Sequence, residues 1–227
     1  MGEAPRRDPA AFVGKGITIG QRRTGWSHSS LELRFSPVQK MKHLLLSVLS
    51  LLPLFGCTKD PITKVVMHRE MATHPVENGW HLAESTEGSS SVLMPMPFND
   101  FTVVAEDQNF GTVRTFVIGK KSDEGFKFSV TEMPLENGMK DPDLKSLSAS
   151  FEKEGSTVMD LVADDFLGHE SISFAVTGRR SGAFVRYVKT GHSLITMVIE
   201  YPSDRHGEIL SFKAPFFSSL KLKTQNR

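Results

Sequence analysis

The chain has 227 residues, of which 39% are hydrophobic and 23% are charged, and it contains one cysteine. This composition is that of a globular domain with room for one core, and a single cysteine excludes a disulfide-stabilised scaffold. The formal net charge is only +1, so no strongly basic or acidic character assigns a partner by itself.

A short apolar segment leads to the single cysteine, Cys57. It begins with Met-Lys-His at 41–43, continues as an apolar run at 44–55 and ends with Gly56. These are the parts of an export signal, and the cysteine after the small residue makes the segment resemble the bacterial lipoprotein signal, whose cysteine is lipidated. An uncleaved membrane anchor and a core helix are the alternatives, but a span needs about 20 apolar residues and a core helix has a polar face. We therefore predict a lipoprotein signal peptide at 41–56 and lipidation of Cys57.

Residues 1–40 carry seven basic and three acidic residues and show no sustained helical or strand period. A stretch of this kind buries too little apolar area to fold by itself. Arg22-Arg23 suggests a twin-arginine signal, but the apolar run begins about twenty residues later. Our hypothesis is that translation starts at Met41 and that residues 1–40 are an over-extension of the reading frame; the alternative is a disordered N-terminus.

Removal of the signal changes the charge of the protein. Eight of the 27 Lys and Arg residues and three of the 26 Asp and Glu residues precede Cys57, which leaves 19 against 23 and a net charge of −4. No basic stripe remains, so nucleic-acid binding is disfavoured. Membrane association would depend on lipid. We expect a lipid-anchored protein of the bacterial cell membrane or outer membrane, with its domain facing the periplasm or the exterior.

Residues 57–78 are predicted to be the lipidated cysteine and a flexible tether, because they are polar and lack periodicity. The sequence His68-Arg69-Glu70 and the nearby His74 do not have the spacing of a zinc site. We therefore predict no metal site in this segment.

The remaining residues, 79–225, are predicted to form a single α+β domain. β-Branched residues and period-two alternation mark the strands, which we place at 80–83, 91–94, 101–104, 112–118, 127–131, 157–163, 169–177, 183–189 and 194–201. The order of strands, helix, strands, helix, with hairpin connections, predicts a mostly antiparallel sheet with two main helices.

The two helices have different signals. The first is capped by Asp141 and carries apolar residues at helical spacing up to Phe151. The second begins near Asp204 and continues to Phe212 or Phe217, and Pro215 is expected to kink or end it.

Four motifs of this region occur together in one known superfamily. They are Trp80, the strand Gly-Ser-Ser-Ser-Val-Leu-Met-Pro at 88–95, Gly-Arg-Arg-Ser-Gly at 178–182 before a Tyr-Val hairpin, and Phe-Phe-Ser-Ser-Leu-Lys-Leu at 216–222. This pattern resembles the PsbP-like superfamily of α/β/α sandwiches, which includes many small bacterial lipoproteins without an assigned role. The resemblance implies a binding or assembly module without a cofactor and implies no catalytic residues.

A catalytic site is not indicated by any motif. The chain lacks the G-x-S-x-G elbow, the P-loop and the Rossmann glycines. A serine hydrolase using Ser181 with His169 or His192 is conceivable, but no nucleophile turn lies near either histidine, and surface histidines are the preferred interpretation. Glu170 beside His169 points to the opposite face of a strand.

The basic residues of the domain concentrate in one segment, which contains Arg179, Arg180, Arg186 and Lys189. They predict either an exposed hairpin or a dock for an acidic partner. The sequence thus favours a lipid-anchored, non-catalytic binding or assembly module of the cell envelope, which contacts the membrane through its anchor and an envelope protein as partner. The alternatives are a small envelope hydrolase and an accessory lipoprotein of envelope stress or secretion.

Overall fold

The computed structural model describes residues 62–107, 110–135, 141–153 and 156–223. The predictions made for residues 1–61, including the start at Met41, the signal peptide and the lipidation of Cys57, lie outside these residues.

Two antiparallel sheets form the framework of the described domain. The large sheet contains β1 Ile62–Ala72, β4 Phe98–Asp107, β5 Gly111–Lys121, β6 Lys127–Pro134, β7 Thr157–Phe166, β8 His169–Thr177, β9 Ser181–Lys189 and β10 Ser193–Pro202. The small sheet contains β2 His81–Glu84, β3 Ser90–Met94 and β11 Lys221–Leu222. The strand order is β1-β4-β5-β6-β10-β9-β8-β7 in the large sheet and β11-β3-β2 in the small one.

Helices cover both faces of the large sheet. Helix α1, Leu144–Lys153, packs on one face through a cluster that includes Phe151 and Tyr187. Helix α2, His206–Ser218, and the small sheet pack on the other face through a cluster that includes Phe128 and Phe216. This arrangement confirms the predicted α+β class with a mostly antiparallel sheet and two main helices. All nine predicted strands are present, most of them longer than predicted.

The prediction of a flexible tether at 57–78 is wrong for the part of it that forms strand β1. Residues Ile62–Ala72 form edge strand β1, which pairs antiparallel with β4 from Ile62 opposite Ala105 to Ala72 opposite Phe98. The sequence does not reveal this strand because most of its side chains are only half-buried, and an edge strand needs an apolar pattern on one face only. The first residue of the sheet therefore follows Cys57 by only five positions.

The two helices depart from prediction at one residue each. Asp143, not Asp141, caps α1, because its carboxylate accepts bonds from the backbone N–H of Lys145 and the hydroxyl of Ser146. The Ser146 hydrogen bond holds the pKa of Asp143 below its usual value. Pro215 lies inside α2 and does not end it. The packing of the aromatic residues that follow it on the sheet outweighs the lost backbone hydrogen bond.

The strand directions define two ends of the large sheet. At the near end β1 begins, β6 ends, and hairpins join β7 to β8 and β9 to β10. At the far end lie the β5–β6 hairpin and the turn between β8 and β9. Helix α2 follows β10 from the far end and leads to β11. Within the described ranges, no helix is long and apolar enough to cross a membrane.

Candidate functional site

A groove of about 840 Å³ opens at the near end of the sheet, beside the C-terminal end of α2. Its walls come from six separate parts of the chain: the β2–β3 turn, Phe116 of β5, the end of β6, the β7–β8 hairpin, the β9–β10 hairpin, and β11 with its flanking residues. A volume of this size falls within the range of about 300–1,000 Å³ that is usual for small-molecule sites. The groove is therefore the candidate functional site.

A buried carboxylate, Glu132, builds one wall of the groove. It lies on β6 and is only 4% exposed. Its Oε2 accepts hydrogen bonds from the backbone N–H groups of Ser89 (2.8 Å) and Ser90 (3.1 Å), and its Oε1 accepts one from the Ser89 hydroxyl (2.7 Å). These three donors compensate the burial of the charge. Glu132 therefore fixes the β2–β3 turn against the large sheet.

Gly88 allows this turn to approach the carboxylate. A Cβ atom at this position would lie 2.7 Å from Oε2 of Glu132, 2.9 Å from Oγ of Ser85 and 3.0 Å from a ring carbon of Phe116. Contacts this short exclude any side chain without displacement of the wall. The packing of the groove wall therefore explains the glycine that opens the motif at 88–95.

An exposed leucine forms part of the rim. Leu167 and Gly168 make the two-residue turn of the β7–β8 hairpin, with φ angles of +57° and +77°. Asn-Gly is the sequence that such a turn favours, because a bulky residue at positive φ is strained by roughly 1 kcal/mol or more. Leu167 is nevertheless 52% exposed, so it has little burial to offset the strain.

Two lysines border the groove without an acidic partner. Lys221 and Lys223 follow α2, and neither makes an ion pair with any residue in the described part of the chain. Within the described ranges, the Lys223 ammonium donates to one group, the neutral backbone carbonyl of Ser85, at 3.2 Å. His169 and His192 also line the groove. The available side-chain chemistry is therefore cationic and hydrogen-bond donating.

The second carboxylate of the groove, Glu87, already has partners of its own. Its Oε2 accepts from the hydroxyl of Thr102 at 2.8 Å and from the guanidinium of Arg114. The Thr102 hydrogen bond, aided by Arg114, holds the pKa of Glu87 below its ordinary value. Because the single Thr102 hydroxyl hydrogen goes to Glu87, Nε2 of His68 donates to the same hydroxyl oxygen at 2.9 Å. Glu87 therefore adds little free negative charge to the groove.

A second buried acid, Asp100, lies behind the β2–β3 turn. Its Oδ2 accepts from Nη2 of Arg69 (2.8 Å) and from the backbone N–H of Thr86 (3.0 Å). The side chains of His68 and Arg69 thus hold β1 against the rest of the domain. This corrects the prediction that these residues belong to a flexible tether. Among the described residues, no group of three or more His, Cys, Asp and Glu side chains is placed to hold a metal ion.

The predicted basic segment does not form one surface. Arg179 and Arg180 are exposed in the turn at the far end. Arg186 lies on β9 with its guanidinium 4.4 Å from the ring centre of Phe166 and 3.4 Å from the carboxylate of Asp164. Lys189 bonds to acids on the α1 side, Asp141 at 3.1 Å and Glu170 at 2.6 Å. The four are separated because residues 186 and 189 point to opposite faces of the strand. Only Arg179 and Arg180 remain as exposed neighbours.

The residues of the hydrolase alternative are partly brought together. His169 and His192 line the groove, whereas Ser181 lies at the far end, where β9 begins. Two hydroxyl groups of the groove have other partners: Ser89 donates to Glu132, and Thr190 bonds to the backbone carbonyl of Ser193. This geometry does not assemble a nucleophile with a base.

Sequence reasoning missed three residues that define the groove. Glu132 continues the alternation of Phe128 and Val130 and so lies on the apolar face of β6. A charged residue at such a position indicates a buried side chain that is held by hydrogen bonds. Leu167 stands where a turn favours Asn, in Leu-Gly instead of Asn-Gly. Lys221 carries no sign of its own, because only the fold brings it to the groove.

No protein-family profile matches the chain, and no curated protein matches it in sequence. Among solved structures, the chain is similar to the solution structure of cyanobacterial PsbP (CyanoP) from Synechocystis sp. PCC 6803, with 12% identity and a TM-score of 0.43. The alignment covers 75% of this chain and 99% of that one.

Proposed function

We propose that this protein is a lipid-anchored, non-catalytic binding or assembly module of the bacterial cell envelope, with a PsbP-like domain. The observation that carries the proposal is the apolar run at 44–55, which Gly56 and Cys57 follow, with a folded domain that begins only five residues later. The groove, with its satisfied carboxylates and unpaired lysines, supports binding more than catalysis.

The short connection to Cys57 gives the anchor a position relative to the fold. Five chain steps from Cys57 to Ile62 reach at most about 18 Å. A lipid on Cys57 would therefore keep the start of β1 close to the membrane, and with it the near end of the sheet. The groove opens at this same end.

Metabolic labelling with a palmitate analogue tests the anchor. The wild-type chain should incorporate the label and fractionate with membranes, and Cys57→Ser should abolish both. Equal labelling of the two proteins would overturn lipidation at Cys57. Any peptide from residues 1–40, found by mass spectrometry of the native protein, would overturn the proposed start at Met41.

Cross-linking in intact cells tests the assembly role. Recovery of one stoichiometric envelope partner supports it, and recovery of none argues against it. Since Arg179 and Arg180 are the exposed basic neighbours, the charge reversals Arg179→Glu and Arg180→Glu should abolish the cross-link if the dock is at the far end. The matched reversals Lys221→Glu and Lys223→Glu change the charge equally at the near end. The pair that removes the cross-link locates the dock.

A small envelope hydrolase is the second candidate, and the two histidines in the groove are the observation in its favour. His169→Ala and His192→Ala should abolish hydrolysis of a panel of ester and amide substrates if this alternative holds. Absence of turnover by the wild type would favour the binding module. An accessory role in envelope stress or secretion remains within the first proposal and would be revealed by the identity of the cross-linked partner.

A further inference from the structure

We infer that the groove binds an amphipathic anion: a molecule with one phosphate or carboxylate headgroup and an apolar chain. This gives a ligand class to the proposed binding module and rests on that proposal. The inference does not require Cys57 to be lipidated.

The headgroup charge follows from the two lysines of the groove, which have no acidic partner among the described residues. Both carboxylates of the groove are satisfied, Glu132 by three donors and Glu87 by a hydroxyl and a guanidinium. Lys221 and Lys223 have no ion-pair partner among the residues that the structure describes, and the Lys223 ammonium touches only a neutral carbonyl. A ligand that completes these contacts must accept hydrogen bonds and carry negative charge.

The apolar chain follows from the remaining walls. Phe116, Leu220 and Leu222 are among the residues that line the groove. Leu167 extends this apolar surface at the rim, where it is 52% exposed at a φ of +57°. Asn at this position would relieve the backbone strain and present a polar side chain to water. An exposed, strained leucine is explained if its side chain contacts an apolar part of the ligand.

Native mass spectrometry of the full protein, purified in a non-ionic detergent, measures binding directly. Three probes are compared over a concentration series: octyl phosphate, octyl trimethylammonium and inorganic phosphate. They separate the contribution of the tail from that of the charge. We expect saturable binding of octyl phosphate in a 1:1 complex and much weaker binding of the other two. Equal binding of octyl trimethylammonium, or of inorganic phosphate without a tail, would overturn the inference.

Two kinds of variant place the binding in the groove. Lys221→Ala with Lys223→Ala should weaken octyl phosphate binding about tenfold, as expected for loss of charge-assisted bonds. The matched pair Arg179→Ala and Arg180→Ala removes the same charge at the far end and should leave binding unchanged. Leu167→Asn should weaken the binding of octyl phosphate but keep or raise the melting temperature, which a purely structural leucine would not do. Equal binding by the wild type and all of these variants would overturn the site.

Native mass spectra of the purified protein, recorded before any probe is added, show the source of the ligand. An anionic phospholipid that stays bound to the wild type and is lost from the double lysine variant identifies a membrane lipid. A groove that is empty as purified and then binds octyl phosphate saturably argues against a tightly held membrane lipid and favours a soluble amphiphile. Either result supports the inference. The mass of any lipid covalently attached to Cys57 appears in the same spectra, so failure of the anchor and failure of the groove are distinguishable.

Discussion

The basic segment at 179–189 and the groove that contains Lys221 and Lys223 differ in how closeness along the chain corresponds to closeness in the fold. Between residues 179 and 189 four cations are close in sequence, yet the fold divides them between the far end and the two faces of β9. In the groove, Lys221 and Lys223 lie more than fifty positions from His169 and more than a hundred from Gly88, yet all four residues line one cavity. A run of like charges on a strand therefore predicts a surface only when strand alternation and turn position are taken into account.

The groove wall should contribute far more to stability than the ion pairs near the basic segment. Glu132→Leu leaves two backbone N–H groups and one hydroxyl without their acceptor, and we expect a loss of about 3 kcal/mol in the free energy of unfolding. The control is Glu170→Gln, which weakens an exposed ion pair to Lys189 and should cost less than about 1 kcal/mol. Urea unfolding measures both. Similar losses would contradict the assigned role of Glu132.

The packing of the turn gives the next largest effect. Gly88→Ala places a Cβ atom 2.7 Å from the Glu132 carboxylate, and overpacking of this kind costs about 2 kcal/mol. Gly191→Ala is the matched control, because Gly191 also lines the groove but has nothing within 4 Å of the new atom. Thermal unfolding should separate the two variants by several degrees. A stable Gly88→Ala protein would show that the turn can move.

Within the basic segment, the structure separates an inward from an outward arginine. Arg186→Ala removes a guanidinium that lies over the ring of Phe166, and we expect a loss of about 1 kcal/mol. Arg180→Ala changes an exposed turn residue and should have almost no effect on the free energy of unfolding. If the two substitutions cost the same in urea unfolding, the four cations would be equivalent and the division of the segment would be wrong.

The smallest predicted effect is a pH dependence at Glu87. Its pKa is held below the ordinary value of 4.5, so its contribution to stability is complete above pH 4.5 and is lost as the pH falls through the pKa of the folded state. Because the side chain is largely solvated, the stability difference between the wild type and Glu87→Gln should be below about 1 kcal/mol at pH 6. It should shrink towards pH 3 in urea unfolding. A difference independent of pH would mean that the charge is not involved.

Local patterns were sufficient to predict most of the fold, whereas the groove depends on long-range contacts. The strand at 194–201 is found because its β-branched and apolar residues are buried on both sides of the sheet. Strand β1 is missed because polar residues such as His68 and Arg69 interrupt its pattern, and their partners Thr102 and Asp100 lie more than thirty positions away. The sequence pattern indicates Asp141 as the cap of α1, and only the hydrogen bonds of the folded helix identify Asp143 instead.

The most direct test of the account asks which end of the sheet faces the membrane. If Cys57 is lipidated, a second cysteine is the only free thiol and can carry a fluorophore, either at Thr112 near the start of β1 or at Asp123 in the far hairpin. An eleven-residue strand separates the two sites by roughly 35 Å.

In vesicles with a nitroxide-labelled headgroup, the fluorophore of the full protein with Thr112→Cys should be strongly quenched, and that of the protein with Asp123→Cys should be hardly quenched at all. A 20-residue Gly/Ser insertion before Ile62 should remove the difference. Equal quenching without the insertion, or stronger quenching at the far end, would contradict the proposed orientation of the groove.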